Sequence, residues 1–204
     1  MKLLIAIPAI DFMHTEFVKS LLKLTDKLND DGIDFETRIE SGTLVYFARD
    51  KLARYAMNNH FTHVLWLDSD MVFEPETLED LQFSGKPFVS GICHGRRKPY
   101  MSCLFKSYWP EVIKWEYKDY PKNTFEVAAC GFAAVLIETK ILRDVIVKFN
   151  TAFTPTEYFG EDVAFCDRAR RLGYKVYAEP GVRVGHVGHI TIYPEDSFSY
   201  EVEK

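Results

Sequence analysis

The sequence predicts an α/β fold, with a single domain built on a mixed, mostly parallel sheet flanked by helices. Residues 64–67 form a short apolar run, which is typical of a strand buried on both faces of a parallel sheet. Strand-like and amphipathic helical segments alternate through the first half of the chain, an order that favours parallel strands joined by helices. No repeat, low-complexity tract or linker divides the 204 residues, and this length fits one domain.

The first half of the chain supplies four predicted strands and three predicted helices. The strands are residues 3–7, 34–39, 64–67 and 88–92. The first helix begins at Thr15, carries apolar residues at helical spacing and ends by Gly32, and the second covers residues 44–59. The third covers residues 76–83 and follows Pro75, because proline is favoured at helix starts. This order predicts a parallel, Rossmann-like sheet.

The second half begins with a change of pattern. Residues 101–129 are rich in aromatics and broken by Pro110 and Pro121, which predicts short antiparallel strands or a lid. A loop at residues 150–159 and a polar tail after Pro194 complete this half. The remaining predicted elements are strands at 133–137, 175–178 and 182–186 and helices at 140–149 and 161–172.

Composition excludes several classes of protein. A net charge of −5 argues against a broad nucleic-acid-binding surface. The four cysteines form no C-x-x-C pair, which indicates reduced thiols in a cytoplasmic protein rather than a zinc ribbon or a redox dithiol. No segment approaches the roughly 18 apolar residues of a membrane helix, so any membrane contact is expected to be peripheral.

Two carboxylates come directly after the buried strand. Asp68 and Asp70 flank one small residue, and in an extended chain they would point to the same side, where they repel each other unless a cation lies between them. His186, with His189 nearby, lies between glycines that free the backbone around it. Two carboxylates and one imidazole suit Mg²⁺ or Mn²⁺ better than zinc. The alternatives are two solvated aspartates and a packed histidine.

An acidic pair opens the last predicted helix. Glu161 and Asp162 follow Gly160, and acidic residues in a first turn stabilise the helix dipole, which is the simpler explanation. The functional alternative is that one carboxylate takes the proton from an acceptor hydroxyl. The sequence leaves both alternatives open.

Basic residues follow the fourth strand in His94-Gly-Arg-Arg-Lys98. Arg96 and Lys98 could bind a diphosphate beside the two aspartates, and Arg49 of the second helix could do the same. The alternatives are a solvated basic loop and a surface arginine.

In chain order, these motifs carry a resemblance that covers residues 3 to 190. They are Ile7-Pro8-Ala9, residues 44–53, Trp66-Leu67-Asp68-Ser69-Asp70, residues 130–134, residues 160–169 and Gly185-His186-Val187-Gly188. The chain resembles glycosyltransferases of the GT-A fold, close to the family-2-like enzymes of bacteria and their phages. The resemblance implies transfer of a sugar from a nucleotide-diphosphate sugar to an acceptor hydroxyl, with inversion.

The resemblance also implies a donor site. Pro8 and Ala9 would border the base of a UDP or GDP sugar, and Gly131 would let the backbone run close to the donor sugar. Asp68 would approach the ribose and join Asp70 and His186 in holding Mn²⁺ or Mg²⁺ at the diphosphate. Arg49, Arg96 and Lys98 are the expected donor-binding cations.

For catalysis, the resemblance implies Asp162 as the general base, with Glu161 as its alternate or its partner in acceptor binding. Residues 1–93 would form a nucleotide-binding half, residues 94–190 an acceptor and catalytic half, and residues 191–204 a tail. The acceptor would be a saccharide, a lipid-linked compound or another hydroxyl compound. Its specificity would come from residues 94–129 and 150–160.

Two other classes of function remain as alternatives. A sugar-1-phosphate nucleotidyltransferase shares the sheet and the metal chemistry, but the segment after the first strand lacks the glycine-rich basic loop of that class. A non-catalytic nucleotide-sugar-binding module would bind a donor without forming product.

Overall fold

A computed structural model describes residues 1–188 of the chain. His189 and the predicted tail lie outside the described residues. A seven-stranded sheet and five helices account for most of the described part, and two smaller sheets lie beside them.

The large sheet has the strand order β2-β1-β3-β10-β5-β11-β8. Its strands are β1 (Lys2–Pro8), β2 (Asp34–Glu40), β3 (His63–Leu67), β5 (Phe88–Ile92), β8 (Phe125–Val127), β10 (Ala134–Glu138) and β11 (Val176–Arg183). Strands β1, β2, β3, β5 and β11 run in one direction, and β10 and β8 run against them. The predicted mixed, mostly parallel sheet is therefore confirmed.

Five helices flank this sheet and carry the predicted apolar stripes. They are α1 (Thr15–Asp30), α2 (Val45–Asn58), α3 (Thr77–Phe83), α4 (Thr139–Phe149) and α5 (Glu161–Arg171). One helix layer covers each face, so alternate residues of a central strand enter different cores. Leu4 packs in one core and Leu3 and Ile5 pack in the other, all fully buried. Burial of each such side chain contributes about 1.5–3 kcal/mol.

Two small sheets bring the second half of the chain to the edge of the large one. The first pairs β4 (Met71–Val72) with β12 (Gly185–His186), and the second joins β6 (Leu104–Ser107), β7 (Ile113–Lys114) and β9 (Ala129–Cys130). The antiparallel strands predicted within residues 101–129 are therefore present. The single strand predicted at residues 182–186 is divided: its first part extends β11, and Gly185 and His186 pair with β4 instead.

A half-buried aspartate fixes the loop between α4 and α5. One oxygen of Asp50 accepts hydrogen bonds from the backbone N–H groups of Ala152 and Phe153, both at 2.8 Å, and the other accepts one from the hydroxyl of Thr151. Arg54, one turn further along α2, donates to the carbonyl oxygen of Asn150. Helix α2 therefore holds this loop next to the carboxyl ends of the strands.

The cysteine and membrane predictions can be compared with the described residues. Cys93, Cys103, Cys130 and Cys166 are all free thiols, and only Cys103 is partly exposed. Within residues 1–188, no helix combines the length and the apolar character needed to cross a bilayer.

Candidate active site

The two aspartates of the D-x-D motif lie in a tight turn at the carboxyl end of β3. The N–H of Met71 donates to the carbonyl oxygen of Asp68 at 3.2 Å, which closes the turn. The chain is therefore not extended here, so the condition under which Asp68 and Asp70 would point to one side is not met, and each carboxylate has different partners. Parallel α/β sheets form their ligand sites at this edge.

Asp70 lies between two basic side chains. Arg96 donates to Asp70 Oδ2, and His186 Nε2 lies 3.2 Å from the same oxygen. The pairing of β12 with β4 causes this contact, since it places His186 opposite Met71, the residue after Asp70. Burial raises the pKa of Asp70, but the hydrogen bond from His186 and the charges of His186 and Arg96 outweigh it and lower that pKa.

Asp68 is paired with a buried arginine. Only 1% of the Arg49 side chain is exposed, and its Nη2 donates to Asp68 Oδ1 at 2.9 Å. The same nitrogen lies 3.4 Å from Asp162 Oδ1, so one guanidinium is shared by two carboxylates. The surface-charge alternative for Arg49 is therefore wrong, and a role in binding the donor phosphate stays a prediction.

An aromatic cluster supports this arginine. The guanidinium carbon of Arg49 lies 5.0 Å from the ring centre of Phe132 and 5.9 Å from that of Phe153. Trp66 of β3 packs edge-on against both rings. Cation–π contact with these rings stabilises a charge removed from water, although two of the guanidinium nitrogens have no hydrogen-bond partner in the described residues.

Asp162 lies in the first turn of α5 with about a quarter of its side chain exposed. The backbone N–H of Phe132 donates to Asp162 Oδ2 at 3.3 Å, and Oδ1 has no hydrogen-bond partner among the described residues. Burial, together with the charges of Asp68 and Glu161, raises the pKa of Asp162 to about 7 despite the opposing charge of Arg49. A carboxylate with a pKa near neutrality suits a general base.

Gly131 lies between Asp162 and Cys103, the residue that precedes β6. A Cβ atom at this position would lie 3.1 Å from the Cβ of Cys103 and 3.7 Å from Asp162 Oδ2. The backbone therefore approaches Cys103 more closely than a side chain would easily allow, whereas the distance to the carboxylate is that of an ordinary contact. Glu161, Asp162, Gly131 and Cys103 line one cavity of about 200 Å³.

Cys103 also lies at the site, although no sequence pattern predicted it. A hydrogen bond with Cys93 lowers the pKa of the Cys103 thiol to about 7, with smaller contributions from the charges of Lys114 and His186. Phe132 and Phe153, which support Arg49, were also missed. Phe132 lies within the motif at residues 130–134, but no local pattern gives its role or that of Phe153, because their contacts with Arg49 depend on distant segments.

The remaining predicted donor residues lie at the same edge of the sheet. Pro8 and Ala9 are buried at the carboxyl end of β1, and the N–H of Ala9 donates to the carbonyl oxygen of Glu40. Arg96 and His186 line a cavity of about 370 Å³. Lys98 is exposed and does not line that cavity.

The predicted metal ligands Asp68, Asp70 and His186 are of types that suit a divalent cation. The structure does not bring all three together. Within residues 1–188, no three carboxylate, imidazole or thiol groups lie close enough to hold a metal ion as they stand. Asp70 and His186 are in contact, whereas Asp68 binds Arg49. His186 Nδ1 lies 3.0 Å from the carbonyl oxygen of His94, a contact that orients metal-binding imidazoles and directs Nε2 toward the carboxylate. The three-ligand metal site stays a prediction.

Comparison with known proteins now relates this geometry to a known fold. No protein-family model matches the chain. Among solved structures, it is similar to A197 from STIV, with a TM-score of 0.63 and 20% identity over 93% of this chain and 87% of A197. It is also similar to GalNAc-T7, solved with UDP, GalNAc and Mn²⁺, with a TM-score of 0.50 and 13% identity over 90% of this chain and 38% of GalNAc-T7.

GalNAc-T7 is a GT-A glycosyltransferase. The chain has a GT-A fold. This confirms the predicted fold class, while the bacterial or phage assignment stays a prediction. In sequence, the chain is 25% identical over 201 residues to the mannan polymerase complex subunit MNN9 of Candida albicans. The aligned region covers 80% of this chain and 54% of MNN9. The chain thus spans about half the length of MNN9.

Proposed function

We propose that the protein is a metal-dependent glycosyltransferase that moves a sugar from a nucleotide-diphosphate sugar to an acceptor hydroxyl. One observation carries this proposal: two acidic centres of different character lie at the ligand-binding edge of a GT-A fold. Asp70 is kept ionised by Arg96 and His186, whereas Asp162 has a pKa raised to about 7. The ionised Asp70 suits binding of a cation, whereas Asp162 suits proton transfer.

The relatives support the same class of reaction. MNN9 is named as a subunit of a mannan polymerase complex, and GalNAc-T7 was solved with UDP, GalNAc and Mn²⁺. These names support a transferase that uses a nucleotide-sugar donor, here a UDP or GDP sugar. They also favour a saccharide as the acceptor over a lipid-linked or other hydroxyl compound. A cytoplasmic location is proposed from the cysteine pattern alone.

The proposed donor site uses the carboxyl ends of β1 and β3. Asp68, Asp70 and His186 would hold Mn²⁺ or Mg²⁺, and Pro8 and Ala9 would border the nucleotide base. The bound cation stabilises negative charge on the diphosphate leaving group. Arg96 already lies beside Asp70 and would bind a phosphate oxygen, since guanidinium groups suit phosphate geometry. Lys98 would contribute charge from the same exposed loop.

The proposed catalytic step depends on Asp162. In the ionised state, the carboxylate of Asp162 would accept the proton of the acceptor hydroxyl as the acceptor oxygen bonds to the anomeric carbon and the diphosphate leaves. Glu161, on the same cavity, would orient the acceptor. Arg49 would keep Asp162 and Asp68 in place. Attack from the face opposite the leaving group makes the proposed transfer inverting.

Thermal unfolding with UDP, GDP and CDP nucleotides, each with and without Mn²⁺, tests the donor site. A ligand that binds the native state raises the unfolding midpoint, so we expect one nucleotide to raise it only when Mn²⁺ is present. Asp70→Ala should abolish this shift, because it removes the carboxylate shared by Arg96 and His186. Asp26→Ala, an exposed change on α1, is the control.

Full metal-dependent nucleotide affinity in Asp70→Ala would overturn the assignment of the metal site. Nucleotide binding in the wild type without turnover of any nucleotide sugar would instead identify a binding module.

A further inference from the structure

A second cavity in the described part of the chain lies outside the site at Asp70. It encloses about 530 Å³ beside α5, between the turn that follows β6 and the loop that precedes α5. Four aromatic side chains line it: Tyr108, Trp109, Tyr158 and Phe159. A concave surface that combines aromatic rings with a few polar groups is the usual form of a small-molecule site.

Two of these rings are exposed although they pack against each other. The side chain of Trp109 is 62% exposed and that of Tyr158 is 66% exposed, and their ring centres lie 5.5 Å apart. Phe159 supports Trp109 edge-on at 6.5 Å, and Tyr108 supports Phe159 at 5.2 Å. The rings are therefore held in place by their neighbours while one part of each is open to solvent. Such rings offer apolar contact area with little loss of side-chain freedom on binding.

Most of the charged groups of the cavity are paired within the protein, and Arg170 is the exception. Lys106 is paired with Asp119 at 3.1 Å, and Arg171 is paired with Asp167 at 2.8 Å. The hydroxyl of Tyr108 donates to Asp167 as well, and Arg170 donates to a backbone carbonyl. These pairs reduce the attraction for an anion, but they leave lone pairs and N–H groups that can bind hydroxyls. The chemistry favours a neutral polyhydroxylated ligand.

The cavity is connected with the catalytic edge through two shared elements. Strand β6 and helix α5 line both this cavity and the smaller one that contains Asp162. Along α5, Val163 of the smaller cavity and Arg170 of this one are seven residues apart, so they lie on the same face of the helix at an axial distance of about 10.5 Å. A ligand whose reacting end is at Asp162 could therefore extend along α5 toward Trp109 and Tyr158.

We propose that this groove binds a neutral saccharide portion of the acceptor, away from the hydroxyl that reacts, by stacking sugar rings on Trp109 and Tyr158. The ligand class follows from the exposed ring faces and the paired charges. The assignment of the ligand as an acceptor rests on the proposed glycosyltransferase function, whereas saccharide binding by the groove can be measured independently of transfer.

Titration with neutral oligosaccharides tests the groove directly. Manno-, gluco- and galacto-trisaccharides would be added to the full chain, with and without UDP or GDP and Mn²⁺, and followed by tryptophan fluorescence and calorimetry. We expect saturable binding of at least one trisaccharide, with a change in Trp109 emission that is missing in Trp109→Phe. Trp109→Ala and Tyr158→Ala should each weaken this binding at least tenfold. Their metal-dependent nucleotide binding should stay unchanged, because neither residue contacts the donor edge.

Tyr117→Ala is the matched control, because Tyr117 is as exposed as Tyr158 but lines a different cavity. Saccharide binding that survives both groove substitutions, or that falls equally in Tyr117→Ala, would overturn the proposal. Binding of sulfated saccharides alone, or of no saccharide at all, would also overturn it. Failure of the glycosyltransferase assignment would look different: the wild type would show no metal-dependent nucleotide binding or no turnover, whatever the groove binds.

Discussion

At the scale of single residues, the acidity of each carboxylate at the site depends on which cationic side chains lie next to it. Arg49 is shared by Asp68 and Asp162, and Asp70 is neutralised separately by Arg96 and His186. The shared arginine is insufficient to offset the burial of Asp162, whose pKa therefore rises to about 7. Two aspartates at the same edge of one sheet thus differ in acidity because their neighbours differ.

Asp162→Asn separates donor binding from transfer. The amide keeps the shape of the side chain but cannot take a proton, so we expect transfer to fall at least a hundredfold with little change in nucleotide affinity. A donor-turnover assay and a nucleotide titration would measure the two effects. Glu161→Gln is the comparison variant. Unchanged transfer in Asp162→Asn would instead point to Glu161 or to a retaining mechanism without such a base.

Arg49→Met tests whether the buried arginine stabilises the fold through the two carboxylates. Removing one partner of a buried ionic group leaves uncompensated charge, so we expect the free energy of unfolding to fall by about 3 kcal/mol. Urea denaturation at pH 7 would measure the loss. The double variant Arg49→Met with Asp162→Asn should recover part of it, because one of the stranded charges is then gone.

Arg143→Met is the control for this prediction, since Arg143 is exposed on α4. A loss no larger than that of Arg143→Met would show that Arg49 does not stabilise the carboxylates. Any role of Arg49 would then be in binding the donor and not in stabilising the fold.

At the scale of elements, short segments position the reactive groups. The turn after β3 separates Asp68 from Asp70, and the two-residue pairing of β4 with β12 places His186 beside Asp70. The loop after α4 brings Phe153 under Arg49, and Asp50 of α2 fixes that loop. The long strands and helices define the edge of the sheet, while these short elements determine the distances within the site.

Asp50→Ala should loosen the loop and weaken the aromatic cluster. It removes the acceptor of the Ala152 and Phe153 N–H groups, and loss of buried hydrogen bonds to a charged group costs about 2–3 kcal/mol. We expect faster hydrogen exchange at these two amides together with a matching loss of stability. Glu116→Ala, which removes an exposed pair with Lys118, should cost under about 1 kcal/mol. Unaltered exchange at Ala152 and Phe153 would show that other contacts hold the loop.

At the scale of the whole molecule, the GT-A sheet gathers residues that are far apart in the chain. Asp68, Asp162 and His186 lie at the same edge of the structure because β3, α5 and β12 all reach it. Antiparallel β10 lies between β3 and β5, so the central sheet joins both predicted halves of the chain. The division into a nucleotide-binding half and an acceptor half stays a prediction about function.

The raised pKa of Asp162 predicts a pH dependence of global stability. Its folded pKa of about 7 exceeds the ordinary value of 3.8, so the native state binds this proton more tightly than the unfolded state. The resulting stabilisation is complete below about pH 4 and is lost as the pH rises through about 7. Because about a quarter of the side chain is exposed, the change is at most about 4 kcal/mol.

Urea denaturation without added metal, from pH 4 to pH 8, would measure this change. Asp162→Asn should become progressively more stable relative to the wild type as the pH rises, since asparagine carries no charge to desolvate. A constant difference between the two proteins across this range would contradict the prediction.

The sequence alone determined the fold class and the order of the main elements. Apolar runs and helical periodicity predicted β1, β3, β5 and helices α1 to α5, because these signals are local and depend on burial of neighbouring residues. The resemblance in motif order also led to a GT-A fold, which structural comparison confirmed. The predicted strand at residues 182–186 failed in part, because strand pairing between distant segments decides where a strand divides.

Tertiary structure decided how the candidate residues meet. The sequence selected Asp68, Asp70, Asp162 and His186, but an extended chain would have placed Asp68 and Asp70 side by side. The turn after β3 instead gives Asp68 to Arg49 and Asp70 to His186. The acidity of Asp162 and the burial of Arg49 also required the fold, because both depend on charges and rings contributed by distant segments. Local patterns identify which residues carry chemistry, whereas three-dimensional neighbours set their charge and their partners.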